Sequence, residues 1–347
     1  MPALITLPGT YSPPTYGHFD IACRAAELWG NLTVVCSRND GKKNNWFSAE
    51  ECVRLWRAYD LPKNVTVTTL EKMLGQSTDF SQLVMTRGIR DDADFQHEHE
   101  VMKLNSRDYG INNYFYLMAR PELKNISSSL ARQAAQKLDF SKLAQCVPPR
   151  IVSLMLERAL NINRLFLVTG RPGSGKSTWL KELIKSDPQA YWISGDEISQ
   201  RLRPQVVAAF PGENLYHLAV KQEEKILAIL KTAWLEILAD LLRQAPPQTN
   251  VYLEVAYGLE ANKQLYRLVG GRVINVYCQS AETNRQRIKD RGTPQHLPFV
   301  DKIPDREEAL KIAQANGLEL IEINTDGNQE GLAAQAQSFI NRNINKN

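Results

Sequence analysis

The chain lacks a long apolar run. Nothing in it approaches the ~20 consecutive apolar residues that a membrane-spanning helix needs. Its first residues enter a short strand-like segment, Ala3–Leu7, without the basic stretch and long apolar core of a secretion leader. Cysteine is scarce and scattered: Cys23, Cys36, Cys52, Cys146 and Cys278 show no CxxC spacing. That argues against a disulfide framework or a zinc site and fits a reducing compartment. Charge of one sign is not in excess either. The net charge is +4, with both signs interspersed, so no basic run announces nucleic acid. Repeats and low-complexity tracts are absent. A cytoplasmic protein that binds neither membrane nor nucleic acid is expected, and the mildly basic balance suits anionic nucleotides.

What the chain has is length and a repeated alternation. Its 347 residues, 43% of them hydrophobic, suffice for two domains. In the first half, strand-like runs at Ala3–Leu7, Leu32–Cys36, Val65–Thr69, Gln82–Thr86 and Tyr114–Met118 alternate with helical patterns at Phe19–Trp29, Ser48–Tyr59, Asp92–Ser106 and Ser127–Gln136. Pro148-Pro149 opens a helix to about Leu160. The pattern then restarts with strands at Leu165–Thr169, Ala190–Ser194, Val251–Val255, Val273–Tyr277 and Leu318–Ile323. Helices are expected at Lys176–Ile184, Tyr216–Arg243, Ala281–Arg291 and Asp305–Asn316. Such alternation implies parallel sheets with helices on both faces. Asn161-Ile162-Asn163 is the expected boundary, giving domains 1–160 and 161–347.

Each half opens with a glycine loop after its first strand. Gly9-Thr10-Tyr11-Ser12-Pro13-Pro14-Thr15-Tyr16-Gly17-His18 is the first. A glycine turn after a strand brings backbone N–H groups close to a phosphate, and the next helix N-terminus favours negative charge. Thr10 adds a hydroxyl, Pro13 and Pro14 stiffen the loop, and His18 can face a phosphate. By position alone such a histidine is more often a cap or a surface residue. More follows in order: Asn39-Asp40-Gly41-Lys42-Lys43, Phe47-Ser48-Ala49-Glu50-Glu51, Arg87-Gly88-Ile89-Arg90, Asp94-Phe95-Gln96-His97-Glu98 and Ile126-Ser127-Ser128-Ser129-Leu130-Ala131-Arg132. Val147-Pro148-Pro149 closes the set.

The loop resembles the TxGH form of the HxGH nucleotidyltransferase motif. Over about residues 3–158 the set is similar to bacterial phosphopantetheine adenylyltransferases. The resemblance implies a Rossmann-like domain and this reaction: ATP and 4′-phosphopantetheine give dephospho-CoA and pyrophosphate. It assigns Thr10, His18 and Lys42 to the reacting phosphates, and Arg87 and Lys42 to the phosphopantetheine phosphate. Gly9, Gly17, Arg90, Glu98, Ser127, Ser128, Ser129 and Arg132 fall to ATP. Met73 and Leu74 fall where the family lines its pantetheine channel. Since the nucleophile is already an anionic phosphate, catalysis needs positioning and charge stabilisation rather than a base. The sequence departs from the family at Ser12, where aspartate is common, and at Asn44-Asn45-Trp46. Blander readings stand beside these: Lys42-Lys43 as a solvated pair, Arg87 and Arg90 as ion-pair partners, Ser127 as a helix cap. Stand-alone members of the family are hexamers, which leaves a homo-oligomer open.

Gly170-Arg171-Pro172-Gly173-Ser174-Gly175-Lys176-Ser177 is the second loop, a Walker A motif between a strand and a helix. It implies a P-loop NTPase fold. Backbone N–H groups around Gly170, Gly173 and Gly175 would cradle ATP, Lys176 would reach its phosphates, and Ser177, followed by Thr178, would ligate Mg²⁺. Asp196 ends the next strand and is a candidate base for an acceptor hydroxyl, or else a helix cap. Glu254 lies in an apolar strand, where a charge is costly unless it meets Mg²⁺, water or a base. Arg285, Arg287 and Arg291 flank a polar loop and resemble the lid arginines of P-loop small-molecule kinases; the alternative is an exposed helix face. Arg201 and Arg203 suit an anionic acceptor.

Together the halves read as a bifunctional Mg·ATP enzyme. The kinase acceptor stays open. Dephospho-CoA is the product of the first reaction, and Leu253–Glu260 is loosely similar to dephospho-CoA kinases. However, the interval from Asp196 to Glu254 is short for them, and His217 precedes Leu218 rather than proline. A zeta-toxin-like or nucleoside-type kinase acting on pantetheine or another metabolite is an alternative. So is an NAD-salvage pair of mononucleotide adenylyltransferase and ribosylnicotinamide kinase, against which Ile126–Arg132 speaks. A non-catalytic, ATP-sensing second half is a third.

Overall fold

A computed structural model describes residues 4–38, 45–75, 82–212, 223–255, 263–326 and 329–344. The chain forms two compact units, Met1–Ile151 and Val152–Asn347.

In the first unit the β-branched and aromatic runs become β1 (Leu4–Gly9), β2 (Leu32–Cys36), β3 (Val65–Thr69), β4 (Leu83–Ile89) and β5 (Asn113–Met118). They form one parallel sheet in the order β3-β2-β1-β4-β5. The chain moves outward from β1 to β3, then returns to place β4 on the other side of β1. The carboxyl ends of β1 and β4 therefore border the point where strand order reverses, the usual ligand crevice of such sheets.

The helices of this unit are α1 (Tyr16–Trp29), α2 (Ala49–Trp56), α3 (Leu70–Leu74), α4 (Asp92–Tyr109), α5 (Ser128–Lys137), α6 (Phe140–Cys146) and α7 (Pro149–Leu160), the last crossing into the second unit. Helix α1 buries Ile21, Ala22, Ala25 and Ala26 at helical spacing. Helix α2 starts at the expected capping box, with Glu51 N–H donating to Ser48 Oγ at 3.2 Å and Ser48 N–H to Glu51 Oε2 at 2.8 Å. Helices α3 and α6 were not expected. They have five and seven residues, too few to show a period, and start at the side-chain caps Thr69 and Asp139.

The second unit contains β6 (Arg164–Thr169), β7 (Ala190–Ile193), β8 (Asn250–Glu254), β9 (Arg272–Tyr277) and β10 (Glu319–Asn324), parallel in the order β10-β9-β6-β8-β7. Its further helices are α8 (Lys176–Ser186), α9 (Gly195–Ala209), α10 (Glu223–Arg243), α11 (Lys263–Val269), α12 (Ala281–Asp290), α13 (Arg306–Ala315) and α14 (Gln329–Asn343). Helix α9 runs on through Pro204, where a pattern reading stops. Helix α14 hides in a polar, alanine-rich stretch, yet it buries Leu332, Ala336, Phe339 and Ile340. Its Phe339 ring meets Phe166 at 5.4 Å and Trp179 at 5.6 Å, both edge-on. Each such pair adds about 0.5–1.5 kcal/mol beyond burial, and together they fix α8, the helix that begins at Lys176, onto the sheet. Buried Glu157 of α7 accepts from Leu165 N–H at 2.8 Å and from Arg272, tying α7 to the starts of β6 and β9. Among the described residues no helix is long and apolar enough to cross a membrane.

Candidate functional site

The first glycine loop is held by its carbonyls. Tyr11 OH donates to Leu7 O at 2.7 Å, Ser37 N–H to Gly9 O at 2.9 Å, and Tyr59 OH to Pro14 O at 3.0 Å. Arg87 donates to Pro8 O, Cys52 Sγ to Thr10 O at 3.4 Å, Arg132 to Ser12 O, and Ser128 Oγ to Pro13 O at 2.7 Å. Every carbonyl from Leu7 to Pro14 except that of Tyr11 has a donor in this set. Tyr11 takes a left-handed backbone with φ of 48°, and its buried ring lies over Gly9, where a Cβ would come within 2.7 Å of it. The same ring meets His18 edge-on at 5.1 Å.

Thr15 caps α1 and sets the histidine. Its backbone N–H donates to His18 Nδ1 at 3.0 Å, so the ring proton sits on Nε2. Burial, with Arg90 and Arg87 nearby, lowers the His18 pKa to about 4. The imidazole is thus a neutral donor at neutral pH.

Two arginines at the end of β4 are paired in cis. Arg87 donates to Glu98 Oε2 at 2.6 Å and to Oε1 at 2.7 Å. Burial opposes its charge, but this carboxylate outweighs burial and holds the guanidinium above its ordinary value. Arg90 makes the same two-point contact with Asp94, at 2.6 and 2.9 Å. Ser127 caps α5 by accepting from Leu130 N–H at 3.1 Å, and Ser129 accepts from Arg132 at 3.1 Å. Ser128 and Arg132 thereby dock the N-terminus of α5 on the loop that leads into α1. Hydrogen bonds tie Arg87, Ser128 and Arg132 to the segment that includes Gly9 and Thr10, Arg87 holds Glu98, and Ser129, next to Ser127, accepts from Arg132. His18, after Gly17, meets Tyr11 of the same segment and has Arg90 nearby. Met73 is buried in α3 and Leu74 is exposed beside it. Lys42 lies outside the described residues. Sequence reasoning missed Tyr11, Cys52 and Tyr59 as supports of the loop, because their contacts need the folded sheet to be seen.

In the second unit the glycines are obligatory. Gly170 has φ of 148°, and a Cβ there would lie 2.0 Å from Val276 O. At Gly173, φ is 76° and a Cβ would lie 2.4 Å from Asn284 O. Both are backbone atoms that cannot step aside. Lys176 Nζ donates to Gly170 O at 2.7 Å and Arg171 O at 3.2 Å. Burial lowers its pKa to about 8, with Arg291 adding to the shift and Glu254 and Asp196 opposing it. Ser177 Oγ donates to buried Glu254 Oε1 at 3.0 Å. A hydroxyl and a carboxylate side by side form a hard-oxygen set that fits magnesium carried in with a nucleotide.

The remaining expected residues spread around this loop. Thr178 is exposed in the first turn of α8. Ser194 caps α9, leaving Asp196 exposed in the first turn. Arg201 pairs with Glu197 at 2.7 Å, and Arg285 with Asp301. Arg287 donates to Gly173 O at 3.4 Å and Thr325 O at 3.0 Å. Arg291 ends α12, exposed. His296 had no role in the sequence reading. Burial lowers its pKa, and it feels Asp196, Arg291 and Lys176; a histidine in the polar loop after Arg291 was the available signal.

Comparison with known proteins agrees with the first crevice. Residues 6–134 match a cytidylyltransferase-like family model. A phosphopantetheine adenylyltransferase of Levilactobacillus brevis is 30% identical over 159 residues, covering 45% of this chain and 96% of that protein. The enzyme of the same name from Moorella thermoacetica is 31% identical, covering 44% of this chain and 94% of its own. Among solved structures, the NadR protein in complex with NR aligns over 100% of this chain and 97% of its own, at 15% identity and a TM-score of 0.34.

Proposed function

The chain belongs, through its N-terminal unit, to the phosphopantetheine adenylyltransferase family, and on that premise we propose that this unit transfers the adenylyl group of ATP to 4′-phosphopantetheine. A phosphate oxygen of the acceptor bonds to the α-phosphorus of ATP. The bond to the bridging oxygen breaks, and pyrophosphate leaves. No proton has to move, so the unit needs no base. Its own groups position and neutralise instead. The neutral His18 offers Nε2–H, the α1 and α5 N-termini add positive potential, and Arg87 and Arg90 supply fixed charge. The observation that carries this reading is the loop itself: its carbonyls are tied back by side chains while the neutral His18 stands at the head of α1. Donors preorganised in this way stabilise charge without reorganising during reaction.

The second unit is read as a kinase that phosphorylates a small-molecule hydroxyl at the expense of ATP. Lys176, Ser177 and Glu254 converge on one loop, which supports phosphate and cation binding there. Magnesium bound with the nucleotide would neutralise phosphate charge. Asp196 stands near enough to Lys176 to affect its proton and would accept the acceptor's hydroxyl proton. The 3′-hydroxyl of dephospho-CoA is the first acceptor to try, since the other unit would make it.

Mass analysis of products from ATP with 4′-phosphopantetheine tests both readings. Dephospho-CoA supports the first, and conversion onward to CoA supports the second. Turnover of nicotinamide mononucleotide but not phosphopantetheine would overturn the first. Failure to phosphorylate dephospho-CoA, pantetheine or nucleosides would overturn the second.

A further inference from the structure

We propose that Thr325 and Arg287 are positioning residues of the second phosphate loop, a brace behind it that sets its affinity for the phosphates of a nucleotide. This rests on the reading of that loop as a nucleotide site and extends it to residues outside the motif.

The loop has two kinds of restraint on its carbonyls. Gly170 O and Arg171 O are held by Lys176 Nζ. That ammonium is the group a Walker loop sends to the β- and γ-phosphates, so those two tethers share its three donors with a nucleotide when one binds. The carbonyls of Gly173 and Ser174 are held differently. Thr325 Oγ1 donates to Ser174 O at 2.6 Å. Arg287 Nη1 reaches Gly173 O at 3.4 Å and Thr325 Oγ1 at 3.3 Å, while Nη2 donates to Thr325 O at 3.0 Å. Neither residue has to move for phosphate to enter, so the brace persists in both states.

Thr325 is itself fixed. It follows β10, is 1% exposed, and its N–H donates to Tyr277 O at 2.8 Å at the end of β9. It also fits the loop closely: a Cβ on Gly175 would lie 3.3 Å from its side chain. On the other flank α12 approaches Gly173 through Asn284 O. The Ser174 side chain adds no tie of its own, because Ser174 Oγ is buried without a hydrogen-bond partner. Fixing Ser174 O rearward turns the N–H of the same peptide, that of Gly175, forward toward an anion, whereas the N–H of the Gly173–Ser174 peptide donates within the loop to Arg171 O at 3.1 Å. Thr325 and Arg287 therefore act on phosphate through the loop and need not touch it.

The test uses the full chain and a fluorescent ATP analogue with magnesium, taking as second-site binding the signal that Lys176→Ala removes. Thr325→Val keeps the shape and removes the hydroxyl. It should weaken second-site binding about tenfold, the worth of one well-placed hydrogen bond, with little change in melting temperature. Thr325→Ser should restore the affinity. Arg287→Met should weaken binding as well, and Arg287→Lys, which keeps charge but loses the planar fork, should recover only part. Wild-type affinity in Thr325→Val overturns the proposal, as does equal weakening by Val and Ser. Should Thr325→Val not fold, wild-type affinity in Arg287→Met overturns it. A chain that binds the analogue in this pattern but phosphorylates nothing would defeat the kinase reading and leave the brace standing.

Discussion

Arg87 and Glu98 lock together through two parallel hydrogen bonds, Nε to Oε2 at 2.6 Å and Nη2 to Oε1 at 2.7 Å, while Nη1 of the same arginine rests on Pro8 O. One guanidinium thus joins β4, α4 and the end of β1. An anionic ligand that uses Arg87 must compete with Glu98 for it. Both side chains are mostly buried, at 23% and 13% exposure, so removing one partner strands the other. Arg87→Met should cost about 1.5–3 kcal/mol of stability, the range for hydrogen bonds to charged groups. Arg87→Met with Glu98→Met should regain most of that. Neither variant should transfer adenylyl groups. Denaturant melts beside pyrophosphate release check this; an active double variant would remove Arg87 from the site.

Lys176 holds its charge in the fold at a cost to stability. Its pKa falls from 10.5 when unfolded to about 8 in the fold, chiefly through burial. Between those values the unfolded chain binds more protons, so the cost of the buried charge is fully present below pH 8 and fades as pH rises toward 10.5. Lys176→Met should therefore stabilise the ligand-free chain at pH 7. The gain is about 1 kcal/mol, because two lost hydrogen bonds offset most of the released charge cost. ATP should no longer raise the melting temperature of the second unit. A destabilised Met variant would contradict the assigned shift.

Both glycine loops were legible because each couples a local signal to a fixed place: an apolar run, a glycine turn, then a helix. The capping box at Ser48 and Glu51 was legible for the same reason. The partners were not. Arg87 and Glu98 sit on a strand and the next helix, and nothing local says that they face each other. Thr325 meets Ser174 across 151 residues, a contact that only the order of β6, β9 and β10 creates. Helix α14 was hidden because its buried stripe includes Ala336 among polar neighbours, giving little contrast between its faces.

The fixed geometry at Gly170 gives a further expectation. With φ of 148° and Val276 O 2.0 Å from any added Cβ, Gly170→Ala has no side chain to push aside; β6 and β9 would have to part. The expected result is loss of the second unit's cooperative melting and of its ATP binding. Adenylyl transfer by the first unit should persist if that unit folds on its own core. Limited proteolysis with an assay of pyrophosphate release reads both. Intact ATP binding in Gly170→Ala would mean that the loop has another resting shape.

His18 gives the pH expectation for the first unit. The unfolded imidazole takes its proton near 6.5 and the folded one near 4, because burial and then Arg90 and Arg87 disfavour the cation. Between these values the unfolded chain binds more protons, so the His18 contribution to stability is whole above pH 6.5 and is lost as pH falls through 4. His18→Gln should cancel that part of the acid sensitivity. Its melting temperature should gain on wild type as pH drops from 6.5 to 4, then run parallel below. In the free protein the His18 ring resonances should stay at their neutral positions from neutrality down to the region of pH 5. A His18 that titrates near 6.5 would mean that the cation is tolerated beside the two arginines, and the first site would then present a charged rather than a neutral donor to its substrates.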